Sequence, residues 1–148
     1  MEISFKANVI LDKNYAKNPP KSVDRANLLE IANQYKEVME DKRTLGGALT
    51  EGDTVILSTK NSREGYYLYT KFYKDGIMTK EPYFEWFTCK ARNIKTPFSI
   101  HDLYYPTKLF LAKKSGYEKR PGENALRYAQ RGLELSIEQL RKKRQGII

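Results

Sequence analysis

The sequence predicts an α+β fold: a mainly antiparallel sheet of four to six strands packed by two long amphipathic helices, within a single domain spanning residues 1–148. Three observations point there. Residues 54–92 hold nine of the chain's eighteen aromatic residues and alternate with the period of two that a pleated strand imposes. Two stretches, about 22–42 and 123–145, repeat their apolar residues every three or four positions, the period of a helix with one buried face. A chain of 148 residues is also long enough to bury roughly two-thirds of its unfolded surface in one core.

Taken in order, Ile3, Phe5, Ala7, Val9 and Leu11 alternate with polar neighbours, which predicts a strand with one buried face paired to an edge of the central sheet. Asn14, Asn18 and Pro19-Pro20 mark a loop. Ser22 is placed as the N-cap of a helix through about Lys42, with Leu28, Ile31, Ala32, Tyr35, Val38 and Met39 inward and Gly46-Gly47 ending it. Thr54 to Thr59 and Tyr66 to Tyr73 read as strands joined by a turn at Asn61–Gly65. Asp75-Gly76 is a hairpin signal, and Pro82 sets Tyr83–Cys89 apart as an outer strand. Within the second of these strands Tyr66, Leu68, Thr70 and Phe72 share one face. Tyr67, Tyr69, Lys71 and Tyr73 share the other, which is the expected wet face because it carries three hydroxyls and an amine.

Beyond Arg92, Ser99–Tyr105 reads as a helical turn capped by Ser99 or as an extended piece. Pro106 separates it from Thr107–Lys114, which fits helix and strand equally. Ser115-Gly116 and Pro121-Gly122 bracket a basic loop. A basic C-terminal helix over about 123–145 then carries Leu126, Leu133 and Leu140 at seven-residue steps, with Ala129, Ser136 and Ile137 between them and Gly132 as a local weakness. The helices are expected to cover one sheet face through the Leu28 and Leu126 stripes.

Arg43-Thr44-Leu45-Gly46-Gly47-Ala48-Leu49, between a helix and a strand, resembles a segment of the tailed-phage prohead (capsid-maturation) proteases over about Val23–Thr59. In that family such a turn presents the catalytic His. Here Leu49 is followed by Thr50-Glu51-Gly52-Asp53, so the resemblance implies an inactive relative serving in virion assembly.

Charge placement carries the functional reading. Residues 1–85 hold equal numbers of acidic and basic side chains, so the whole net charge of +9 falls on residues 86–148. Such segregation exceeds what solubility needs and points to a polyanionic partner: nucleic acid bound without regard to sequence, or an acidic protein surface. The candidate contacts are Lys113, Lys114, Lys119, Arg120, Arg127, Arg131, Arg141, Lys142, Lys143 and Arg144. A second candidate is the aromatic sheet, where Tyr66, Tyr67, Tyr69, Tyr73 and Trp86 would stack bases while Lys71 and Lys90 hold phosphates; its expected contact face is Tyr67, Tyr69, Lys71 and Tyr73. The alternative class is a structural or assembly protein, such as a virion component or an interaction module, with homo-oligomer formation as one outcome.

Catalytic chemistry finds little support. One His and one Cys, His101 and Cys89, make no metal set and no nucleophile–base pair, and no metal or cofactor is expected. Cys89 beside Phe87 reads as an inert buried thiol. Gly46-Gly47 lacks the Lys-Ser/Thr of a phosphate loop. Gly65-Tyr66-Tyr67 is similar to the start of a GIY-YIG nuclease motif whose second half is missing. The N-terminus lacks the pattern of a signal peptide, no apolar run reaches the ~20 residues of a membrane span, and a lone cysteine suits a reducing compartment, so a cytoplasmic protein without membrane contact is expected.

Overall fold

A computed structural model describes residues 8–21, 23–41, 53–74, 81–90, 97–144 and 146. Its centre is the pairing of β2 (Thr54–Asn61) with β3 (Tyr66–Tyr73), antiparallel from Thr54 opposite Tyr73 to Asn61 opposite Tyr66. Ser62 closes the turn: its N–H donates to the Gly65 carbonyl at 2.9 Å, and its hydroxyl donates to the same oxygen at 3.2 Å. Gly65 is required for space, since a Cβ there would lie 2.3 Å from the Lys90 carbonyl oxygen of the next strand. That strand, β4 (Phe84–Lys90), pairs antiparallel with β3 from Phe72 opposite Phe84 to Tyr66 opposite Lys90, and it forms an outer edge as Pro82 implied. Asp75-Gly76 lies outside the described residues.

The opposite edge is β1 (Asn8–Leu11), and here the sheet turns mixed, because β1 runs parallel to β2. The reason is connectivity: α1 (Arg25–Glu40) intervenes, and strands joined through a helix crossover come out parallel. Of the sequence-predicted strand, Val9 is buried, whereas Leu11 is 44% exposed at the point where the chain leaves the edge. Residues before Asn8 lie outside the described set, as does Ser22; Asp24 caps α1 instead, its carboxylate accepting from the Ala26 N–H at 2.9 Å. Leu28, Ile31, Ala32, Tyr35 and Met39 are all buried, the stripe that the spacing predicts. The Gly46-Gly47 stop and the whole segment from Arg43 to Leu49 fall outside the described residues.

Three helices, not two, accompany the four described strands. The helix that covers β3 and β4 is α2 (His101–Lys114), and it runs straight through Pro106. Its start is a capping box: the Ser99 hydroxyl accepts from the His101 N–H at 3.1 Å, and the Asp102 carboxylate accepts from the Ser99 N–H at 2.8 Å. Pro106 is tolerated because, in the second turn, it forfeits only the bond to the Asp102 carbonyl while its ring is buried. Phe110 of α2 stacks on Phe72 at 4.9 Å between ring centroids, and Tyr105 meets Trp86 edge-on at 5.5 Å.

α1 and α2 are tied to each other by a buried polar chain. The Thr107 hydroxyl donates to the Leu103 carbonyl at 2.7 Å, so the fully buried Tyr35 hydroxyl must donate to Thr107 Oγ1, 2.6 Å away. Burial is also the main cause that pushes the Tyr35 phenol above its ordinary pKa. Thr107→Val keeps the shape and strands that hydroxyl. The expected cost is roughly 1–3 kcal/mol in urea unfolding, against a smaller one for Tyr35→Phe.

The third helix, α3 (Ala125–Arg144), packs on α2 rather than on the strands, and this corrects the expected role of the Leu126 stripe: Leu126 is 71% exposed. The buried positions of α3 are small residues, Ala129, Gly132 and Ser136, and of the leucine stripe Leu133 packs half-buried against the core. A Cβ on Gly132 would come within 2.2 Å of Ala112 Cβ, so the two helices cross at contact distance there.

Candidate functional site

Two surfaces collect the chemistry that the sequence singles out, and they are built differently. The first is at the start of α3. After Tyr117 the chain passes through Pro121-Gly122, where Gly122 has a φ of +80°, and Asn124 caps the helix by accepting from the Arg127 N–H at 2.8 Å. Arg127 and Arg131 then stand one turn apart, and with Arg120 they line a single hollow of about 280 Å³ shared with Gly122, Glu123 and Asn124.

Glu123 organises this hollow. Its carboxylate accepts from the Tyr117 hydroxyl at 2.7 and 2.9 Å and from the Arg120 N–H at 3.2 Å, and it lies 3.9 Å from Arg131 Nε. The Tyr117 bond above all, helped by Arg120 and Arg131, holds the Glu123 carboxyl below its ordinary pKa, so it stays charged. Arg131 also sits over the Tyr117 ring at 5.6 Å, which fixes its guanidinium. Three arginines against one carboxylate leave the hollow positive.

The other sequence-predicted cations divide. Lys119, in the loop before the hollow, is exposed, and Lys113 is exposed while donating to the Tyr83 carbonyl at 3.0 Å and lying over that ring. Lys114 is turned inward to a salt bridge with Asp53, whose side chain is fully buried, so Lys114 is part of the framework. Arg141 and Lys142 lie at the far end of α3, about 20 Å along the helix from Arg127. Glu134 and Glu138 stand between, and Lys142 pairs with Glu138 at 3.3 Å. The side chains of Lys143 and Arg144 lie outside what the structure describes. The positive charge therefore forms a cluster at the start of α3 and a second group at its end, rather than one continuous stripe.

The second surface is the side of the sheet away from α1 and α2. Tyr67, Tyr69 and Lys71 are half-buried there, on the face the alternation assigns to them. Tyr73, by contrast, is only 6% exposed, which removes it from the contact set. Tyr66 is fully buried in the core, and Trp86 and Lys90 belong to the helix-covered side, facing Tyr105 and Phe98. Cys89 is exposed, contrary to the buried thiol expected, because β4 is an edge strand and Cys89 points to the side without helices.

The aromatic that the sequence pattern does not single out is Phe87. It is 49% exposed and lies flat on Tyr69, with ring centroids 4.1 Å apart and planes 6° from parallel. Tyr67 meets it edge-on at 6.2 Å. Its register opposite Tyr69 follows from the β3–β4 pairing, so counting two from Glu85 along β4 was the available signal.

Among the described residues no group of three or more His, Cys, Asp or Glu could hold a metal ion, and no helix is long and apolar enough to cross a membrane. His101 is exposed at the start of α2, edge-on to Tyr104 at 5.9 Å. Comparison with protein-family models, with curated proteins and with solved structures finds no match to this chain.

Proposed function

We propose that this chain is a non-catalytic binding module that docks on a polyanionic partner, with nucleic acid bound independently of sequence as the first such partner. The observation that carries the reading is the convergence of Arg120, Arg127 and Arg131 on one hollow beside the Gly122 turn. Guanidinium groups present planar forks that suit phosphate oxygens, and such contacts position a nucleic acid without reading its bases.

The test is a titration of labelled single- and double-stranded nucleic acid over a salt series. Micromolar binding that weakens steeply with salt is expected, and no binding at ~50 mM salt would discard the proposal. Arg127→Ala should weaken both nucleic acids alike. It should also lower the slope of log K against log salt, by about 0.9 on the duplex and about 0.7 on the single strand for each phosphate that the arginine had neutralised. Arg127 suits the test because it is exposed, whereas Arg131 also supports Tyr117 and Glu123.

A second reading, an assembly protein that meets an acidic partner or another copy, draws on the apolar residues α3 leaves outside, Leu126 and the 48% exposed Ile137. Purified protein free of nucleic acid that forms concentration-dependent oligomers would favour it.

A further inference from the structure

The open side of the sheet has features that the arginine hollow lacks. Phe87 is half exposed, and its ring orientation is already set by the parallel stack on Tyr69 and the edge contact of Tyr67. The Tyr69 hydroxyl donates to Glu85 and the Tyr67 hydroxyl to Glu64, the latter at 2.8 Å, so both supporting rings are pinned at their far ends. Burial, then the bond to Glu85, raises the Tyr69 phenol above its ordinary pKa, which keeps it a neutral donor.

Next to Phe87 lies a hollow of about 450 Å³, lined by Lys60, Ser62, Arg63, Glu64, Tyr67 and Phe87. Its two cations stand on the β2–β3 turn side, and Lys71 lies 5.0 Å over the Tyr69 ring. A flat apolar ring in a hollow where two cations outnumber one carboxylate has a specific complement: a flat π-system joined to a chain of negative charges.

We infer that this face is a stacking platform for an unpaired base of single-stranded nucleic acid, the base lying on Phe87 while Lys60 and Arg63 hold the adjoining phosphates. The inference rests on the polyanion reading for its phosphate contacts and adds a second surface and a strand preference to it. Duplex nucleic acid keeps its base faces stacked inside the helix and cannot use the ring. An apolar protein segment would cover Phe87 but would leave Lys60 and Arg63 with only the Glu64 carboxylate in the hollow to balance two cations. Stacking is also cheap here, because three rings held in place give up little freedom when a base arrives.

The experiment compares three fluorescent probes by anisotropy: an oligothymidylate of roughly 16 nucleotides, a duplex of the same length, and heparin, which has charge but no bases. Phe87→Ala is expected to weaken oligothymidylate binding roughly five- to 150-fold while leaving duplex and heparin binding unchanged. Phe87→Trp should retain or tighten it. Since Phe87 is half exposed, Phe87→Leu serves as the folding control, and its unfolding midpoint should match the wild type while its oligothymidylate affinity still falls. Wild-type affinity of Phe87→Ala for oligothymidylate would overturn the platform, as would an equal weakening for all three probes. If Arg127→Ala weakens every probe while Phe87→Ala weakens none, the polyanion reading stands and the platform falls. If no probe binds the wild-type chain, both fall.

Discussion

Gly132→Val is expected to unfasten α3 from α2 and to lower stability by at least roughly 2 kcal/mol, measured by urea unfolding. The first atom of any side chain at this position would sit 2.2 Å from Ala112 Cβ, 2.4 Å from its Cα and 2.9 Å from its backbone nitrogen. Two of those three atoms are main chain, so rotating a side chain cannot relieve the overlap. Ala112→Gly in the same protein should therefore fail to rescue it, and the helices must move apart. Intrinsic helix preference works the other way, since glycine is the poorer helix former by about half a kcal/mol. A neutral or stabilised Gly132→Val protein would show that α3 does not cross α2 at this point.

Lys114→Ala is expected to cost about 3 kcal/mol, the low end for breaking a buried ion pair, because the fully buried Asp53 side chain loses the ammonium that bridges to it. Lys114 itself is 13% exposed, which admits some water and argues against the upper end. The same substitution should leave the salt slope of nucleic-acid binding unchanged, because the ammonium is turned to Asp53 and not to a ligand. Urea unfolding and a salt titration of one variant thus separate framework from contact. A stable Lys114→Ala protein with a reduced slope would return Lys114 to the binding set.

These two residues also show what the sequence can and cannot display. The Leu28 to Met39 stripe of α1 and the alternation in β3 were legible, because each element meets the core directly and its period reports that contact. On α3 the pattern picks out Ala129, Leu133 and Ser136 correctly but adds Leu126 and Ile137, which are exposed, and reads Gly132 as a weakness where it is a buried contact. Small residues carry almost no hydrophobic signal, yet they are what permits close helix crossing. Pro106 looked like a break because periodicity says nothing of where in a helix a proline falls. Lys114 and Lys119 looked alike on a charge count. Only the fold brings Asp53, from far earlier in the chain, beneath one of them. The expectation of a buried Cys89 fails for a similar reason, since strand composition does not say which side the helices will take.

The parallel seam between β1 and β2 has a kinetic consequence. The meander β2–β3–β4 zips through connections of about ten residues or fewer, whereas Val9 reaches Val55 only after the chain has wound through a loop and all of α1. Gathering such distant segments demands more closure entropy before any contact rewards it. The meander is thus expected to form first and the β1 strand to latch on late, so that weakening β1 should speed unfolding far more than it slows folding.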